Sequence, residues 1–423
     1  MPPQPRVALV TYAMHCGGLE ALLLRLGSYL RHQGCDVEII TTLQPGEWFG
    51  RVAELGMRAS HVSGRSGPGV LTSLWHSRRV RSKLVAGRYD IVFLNHSRHA
   101  QACIGGLPDH VVVVPILHND YEDIYRVGCA SPDAWNVAVA VSPKVAETAR
   151  RRAPRRPVLL ILSGVDLPDE SLLAQRRSLE HPIRLIFVGR LDHTQKGVLW
   201  LPEILRRCLD RGLDTTLTIV GNGPDADWLQ QSLEAPALGE RSRLLREVPP
   251  AEVYHLLTQS HVLLMPSQFE GLPIALLESL ACGCVPVASL LPGITDAAVS
   301  NGETGLLVEP GDIAGFADAV ASLADSPERW ERMSRACQER ARQSFSTEAM
   351  GSSYLRLIDD ARAGHYPLSR SRRSQLPLDL SLFSWRDSVP GPLRRLARRG
   401  RSWLAGFSSV AGPPNQERES HGV

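Results

Sequence analysis

Two Rossmann-like α/β domains facing a cleft are what this chain of 423 residues predicts. Three observations carry that reading. A single hydrophobic core stops growing at roughly 250–300 residues, so two domains are the default here. Short β-branched runs alternate with helical segments throughout, the pattern of parallel sheets covered by helices on both faces. The alternation breaks once, over a polar stretch at 166–181 that carries Pro168 and is closed by Pro182, and then restarts with a strand.

The first half predicts strands at 7–13 (VALVTYA), 37–42 (VEIITT), 91–94 (IVFL), 111–117 (VVVVPIL), 137–141 (VAVAV) and 158–162 (VLLIL). Each is a run of branched apolar residues too short to be a helix. The second half gives 183–188 (IRLIFV), 217–220 (LTIV), 262–265 (VLLM), 285–288 (VPVA) and 306–308 (LLV). Helices at 312–323, 327–342 and 347–363 close the body. The expected division is an acceptor domain at 1–166, a linker at 167–182 and a donor domain at 183–346. A returning helix at 347–363 and a basic tail at 364–423 follow. Sheets of this kind bind ligands outside the carboxyl ends of their strands, so two of them facing each other make a cleft.

Charged and apolar content is that of an ordinary globular protein. The net charge of +3 hides an asymmetry: residues 364–423 hold ten arginines against four acids, or +6, leaving −3 for the rest. The main body therefore has no case for nucleic acid. The eight cysteines are scattered, with no zinc spacing around Cys282 and Cys284. Neither a signal peptide nor an apolar run near the ~20 residues of a membrane span is visible. The expectation is a cytoplasmic protein with reduced thiols.

The segment 266–288 (PSQFEGLPIALLESLACGCVPVA) is the most informative. It ends a buried strand, turns through Phe269-Glu270-Gly271 and enters an apolar helix with Pro273 in its first turn, where a missing N–H costs nothing. Glu270 falls at the helix mouth and Glu278 about a turn and a half inside. A helix N-terminus favours an anion, and two carboxylates beside it suit a ligand that is part phosphate and part polyol. The competing reading is a buried helix with two incidental glutamates, although a lone charge among Ala275, Leu276, Leu277 and Leu280 is costly unless paired.

Val188-Gly189-Arg190-Leu191 and Lys196-Gly197 stand at the exit of the second half's first strand. Arg190 and Lys196 are thus cations at the cleft, suited to a departing diphosphate. Cys16-Gly17-Gly18-Leu19-Glu20 follows the chain's first strand, where Gly17 and Gly18 either let the backbone approach a ligand or merely form a tight turn. It is not a dinucleotide fingerprint, because G-x-G-x-x-G is absent. His118 follows the run 111–117, whose end places it at the cleft, and His96 is a second strand-end histidine. Asp225-Ala226-Asp227 spells the D-x-D of metal-dependent transferases but reads better as acids in a helix's first turn.

These motifs together resemble the retaining family-4 glycosyltransferases (glycosyl transferases group 1), with similarity from about residue 7 to 363. The resembling residues are Ser267, Glu270, the tripeptide Gly271-Leu272-Pro273, and Glu278. With them go Arg190, Lys196, Gly17, Gly18 and His118. The resemblance implies the GT-B fold and transfer of a sugar from a nucleotide diphosphate sugar to an acceptor hydroxyl with retention. It implies that Arg190, Lys196 and the helix mouth at Gly271 hold the diphosphate without a metal or other cofactor. Glu270 would meet the donor sugar, Glu278 the ribose, and His118 the reacting sugar or acceptor. Glu270 and Lys196 are expected on the cleft surface. Leu291-Pro292-Gly293 and Ser163 depart from the family pattern, so donor sugar and acceptor are not implied.

In the tail, 392–407 places Leu393, Leu396, Gly400, Trp403, Leu404 and Phe407 on one helical face and Arg394, Arg395, Arg398, Arg399 and Arg401 on the other. An anionic membrane surface is one partner for such a segment, with a lipid-linked acceptor. A protein partner and a disordered basic tail are the others. A nucleotide-sugar epimerase of similar fold and a non-catalytic binding module are the alternative functions. A glycosidase would have no use for a diphosphate site.

Overall fold

The computed structural model describes residues 4–64, 70–246 and 248–383. The segment 392–407 lies outside the described residues. Among the described residues the strands form two parallel sheets. The first, of seven strands, takes β1 (Arg6–Thr11), β2 (Asp36–Thr41), β3 (Arg58–His61), β4 (Ile91–Asn95), β5 (Val112–Leu117), β6 (Ala138–Ala140) and β7 (Val158–Leu160). The second, of six, takes β8 (Ile183–Val188), β9 (Thr215–Val220), β10 (Ser242–Leu245), β11 (Val262–Met265), β12 (Val285–Ser289) and β13 (Leu306–Val308). Eleven of these were expected within a residue or two at their ends, the usual latitude of strand and helix limits. The two unexpected strands, β3 and β10, are both sheet edges. They read RASH and SRLL, and neither carries a fully buried residue. An edge strand has one neighbour and keeps polar side chains, so it leaves little apolar signal.

Strand order decides where ligands can sit. The first sheet runs β3-β2-β1-β4-β5-β6-β7 and the second β10-β9-β8-β11-β12-β13. In each, connections diverge between two central neighbours, β1 and β4 in one and β8 and β11 in the other. The loops leaving those strands open a crevice at the topological switch point. Central strands such as β4, β11 and β12 are buried along their whole length, as sheets covered on both faces require.

The two Rossmann-like domains are joined by more than the linker. The helix Thr347–Arg362 packs on the helix Gly18–His32 of the first domain, where Tyr29 Oη and Ser352 Oγ lie 3.0 Å apart. Tyr354 meets Phe93 of β4 edge to face at 5.5 Å. Residues 364–383, read above as the start of a basic tail, instead form a strap along the first domain. Charge counting missed this because Arg372 is not solvated. It is 1% exposed. Its guanidinium donates to the carbonyls of Ala134 (2.8 Å), Pro108 (2.7 Å) and Val111 (2.9 Å) and to Asn136 Oδ1 (3.0 Å). Burial pushes its pKa down to about 10.

Candidate active site

The predicted residues converge on the two switch points. Gly17 and Gly18 follow β1, Arg190 and Lys196 follow β8, and Glu270 and Gly271 follow β11, while His118 follows β5. The helix Gly18–His32 starts with Gly17 as its N-cap residue, and the helix Ile274–Cys282 starts one residue later than expected, with Pro273 as its N-cap residue. These two helix N-termini meet: a Cβ on Gly18 would stand 3.3 Å from Ile274 Cβ. Two positive dipole ends thus converge on one space. Arg190 is exposed there. Burial raises the pKa of Tyr12 and of Tyr121, and the Arg190 charge opposes the rise in both, which sets Arg190 across the cleft from the first domain.

Lys196 and Glu270 are not independent surface groups. Lys196 Nζ lies 2.5 Å from Glu270 Oε1, with side-chain exposures of 16% and 4%. Ser267 Oγ donates to the same oxygen at 2.7 Å. The expectation of two cleft-surface side chains is corrected for Glu270, because an ionised carboxylate inside an apolar turn needs its charge paired. Leu272 is corrected as well: at 5% exposure its side chain belongs to the core and offers a ligand only backbone. Pro273 is likewise buried.

Gly271 is one of the places where the domains touch. It bridges to Asn119, and Asp120 N donates to Glu270 O at 3.2 Å. A Cβ on Gly271 would overlap the His118 carbonyl. The His118 ring Nε2 lies 2.8 Å from Asn95 Oδ1, whose amide nitrogen donates to Val10 O, so Nε2 carries the proton and Nδ1 the lone pair. Burial, with His96 nearby, drives the His118 pKa down to about 3. The ring is therefore neutral and a poor base near neutral pH. His96, the other strand-end histidine, takes a left-handed backbone (φ 52°) and lies 3.5 Å from Asp123.

Glu278 departs from its expected surroundings. It is 8% exposed, and Arg25 of the first domain reaches its Oε1 at 2.6 Å. Arg25 also contacts Asp166 at 3.0 Å and Tyr254 at 3.3 Å. Burial alone would lower the Arg25 pKa, but Tyr254, Glu278 and Asp166 more than reverse it, so Arg25 stays cationic. Burial pushes Glu278 upward while Arg25 opposes it. A cavity of about 400 Å³ lies beside Arg25, bounded by Tyr29, Trp48, Arg51 and Thr347, and none of the predicted residues lines it.

Sequence reasoning missed Arg25 and Asn95, which carry no motif, and undervalued Glu20, which does. The Glu20 carboxylate is 4% exposed and folds beneath the glycine turn, 2.7 Å from where a Gly17 Cβ would be. Burial raises its pKa to about 7. Asp225 accepts from His193 N at 2.7 Å, and Asp227 sits in the first turn of Ala226–Leu233 and pairs with Arg246 at 2.7 Å. Among the described residues no group of three or more His, Cys, Asp or Glu is placed to hold a metal ion.

Residues 182–326 match the family Glycosyl transferases group 1, and residues 16–168 match Glycosyltransferase Family 4. Glycogen synthase of Mycobacterium tuberculosis is 30% identical over 221 residues, 52% of each chain. The chain thus spans about half the length of the first of the curated relatives it matches. The phosphatidyl-myo-inositol mannosyltransferase of Mycobacterium leprae is 26% identical over 362 residues, covering 81% of this chain and 93% of that one. Anabaena HepE, solved with UDP and glucose, superposes with a TM-score of 0.70 at 17% identity, covering 84% of this chain and all of that one. At that identity the likeness speaks for fold alone.

Proposed function

The chain belongs to the group 1, family 4 glycosyltransferases of GT-B fold, and on that footing we propose the reaction it carries out. A sugar passes from a nucleoside diphosphate donor to an acceptor hydroxyl with retention of anomeric configuration. The bond from the sugar's anomeric carbon to phosphate breaks, the bond to the acceptor oxygen forms, and the acceptor's proton leaves with the diphosphate. The observation that carries the reading is the meeting of two helix N-termini at Gly18 and Ile274 beside Arg190 and Lys196. Preorganised donors of this kind are worth most where charge develops on a leaving group. They take the place of a divalent ion, so no metal enters the proposal.

In this reading Glu270 holds Lys196 toward the diphosphate and accepts from a donor-sugar hydroxyl with its second oxygen. Glu278, with Oε1 taken by Arg25, offers Oε2 to the ribose. Neutral His118 touches the reacting sugar through Nδ1 and is not the base. Gly17 and Gly18 let backbone N–H groups close on the phosphates. A UDP complex of a protein of this fold and a relative named for a lipid-inositol acceptor support the donor class and a lipid-side acceptor. No helix among the described residues is long and apolar enough to cross a membrane, and the proposed placement is peripheral, on the inner face, through 392–407.

Incubation with a panel of nucleotide sugars, with and without lipid and polyol acceptors, tests the reading. Acceptor-dependent release of nucleoside diphosphate that survives a strong chelator is expected. An epimerised donor, binding without turnover, or loss of transfer in EDTA with rescue by Mg²⁺ or Mn²⁺ would overturn it in whole or in its metal-free part.

A further inference from the structure

The helix Val70–Ala86 holds Arg78, Arg79, Arg81 and Lys83 and no acid. Its outward face repeats at helical spacing through Leu71, Trp75, Arg78, Arg79, Ser82 and Val85, all exposed. Leu71 is 81% and Trp75 50% open to solvent. Lys83 is committed to Glu38 at 2.6 Å, whereas no ion pair is recorded for Arg78, Arg79 or Arg81 among the described residues. Arg79 instead lies over the Trp75 ring, 4.9 Å from its centroid. A soluble helix seldom shows water a leucine and a tryptophan at adjacent turns, ringed by unneutralised cations, without a partner for them.

The strap lies beside this helix. A Cβ on Gly106 would fall 2.6 Å from Arg81 Cδ and 3.2 Å from Pro377 O, so helix and strap flank the same glycine. Further on, His76 of the helix meets His99 at 4.6 Å, and His99 stacks on Phe383 at 5.3 Å. The strap adds Leu376, 82% exposed, and Leu380, 50% exposed. Among the described residues, five of the eleven large apolar side chains left exposed thus belong to these two adjoining segments. Chain continuity then makes Phe383 the point from which 384–423 departs, with its arginine-rich sequence.

We propose that the outward face of the Val70–Ala86 helix, together with the strap beside it, is a docking surface for an anionic lipid bilayer. Trp75, Leu71, Leu376 and Leu380 enter the interfacial layer, while Arg78, Arg79 and Arg81 meet lipid phosphates. The proposal deepens the lipid-side part of the functional reading and rests on it for the purpose of docking. The surface itself is argued from these residues alone.

The test is partition of the full-length protein onto vesicles of phosphatidylglycerol and phosphatidylcholine, against phosphatidylcholine alone. Each basic residue near an anionic surface is worth about a factor of five. Arg78→Glu with Arg79→Glu should therefore lower partition by at least about 25-fold, and high salt should reproduce much of that loss. Leu71→Ser with Trp75→Ser, which leaves charge unchanged, should lower partition on the same vesicles by about 10-fold or more. Melting temperature checks that these exposed substitutions leave the fold intact. Partition within two-fold of wild type in both variants overturns the proposal, as does capture by an acidic protein without vesicle binding. Vesicle-free donor turnover is read in parallel: its loss in the wild type would sink the transfer reaction, and vesicle binding alone decides the surface.

Discussion

Separating stability from transfer at the Lys196–Glu270 pair is the sharpest way to challenge the site. The two groups lie 2.5 Å apart with side-chain exposures of 16% and 4%. Removing one partner of a buried pair strands the other and costs about 3–5 kcal/mol. The two deletions should not be equal. Glu270→Gln leaves a lysine whose flexible stem can carry its charge to water, so its cost falls at the low end. Lys196→Met leaves the more deeply buried carboxylate with Ser267 and a long contact to Gln195 at 3.5 Å, so its cost falls at the high end. For a domain of this size 3–5 kcal/mol is a loss of roughly 6–20 °C in melting temperature. Lys196→Met combined with Glu270→Leu replaces the pair by apolar groups and should recover most of that stability. Transfer should not return with it. Each single variant should lower nucleoside diphosphate release by ~100- to 1,000-fold, the effect of losing one preorganised charge-stabilising donor. Calorimetry and a coupled release assay on the four proteins suffice. Should Lys196→Met melt within 2 °C of wild type, the pair is not a structural unit; should the double variant regain activity, it is not a catalytic one.

Three further outcomes are expected. Because burial raises the Glu20 pKa to about 7, the folded state holds its proton more tightly than the unfolded chain; its contribution is fully present below about pH 4.5 and lost as pH rises through about 7. Urea unfolding of wild type should thus weaken by ~3 kcal/mol more than that of Glu20→Gln between pH 4.5 and 8, and parallel pH profiles would refute the buried, protonated carboxyl. Gly271→Ala forces apart two backbones that nearly touch, and a displacement of about 1 Å can cost ~100-fold in rate. Hydrogen exchange should rise at 118–120 and 270–272, and full activity in a folded variant would contradict the close approach. A chain ending at Phe383 should melt like the full-length protein. One ending at Ala363 loses Arg372 and strands the carbonyls of Pro108, Val111 and Ala134, each worth about 1–3 kcal/mol. Equal melting of the two truncations would show that the strap is not structural.

The sheets were legible because branched apolar runs recur wherever a strand is covered on both faces, and only the edge strands β3 and β10 escaped. The placement of Arg190, Lys196, Glu270 and Gly271 was legible for a related reason: each lies just past a central strand, where a parallel sheet must open. Relations between distant residues left no such trace. Arg372 reads as one more charge in a basic run, yet it is buried against carbonyls more than 230 residues away in sequence.

The two glutamates show the same limit at the site itself. With seven residues between them on one segment, they read as a pair serving one ligand. The fold gives each a different partner. Glu270 closes on Lys196 within its own domain, and Glu278 closes on Arg25 of the other, 253 residues away. Periodicity records which face of a helix is apolar, but not which domain a buried carboxylate will meet across a cleft. A nucleotide held beside the two helix N-termini would therefore touch both domains at once, and the Arg25–Glu278 contact ties its ribose side to the first. Exchanging Glu278 for Gln keeps the side chain's shape and removes the charge that Arg25 answers. Donor affinity and the registry of the two domains should change together in that variant, whereas Glu270→Gln should alter turnover with the registry kept. Measuring donor KM, turnover and small-angle scattering on both variants decides it: identical behaviour would mean that the pair acts as the single unit its spacing suggests.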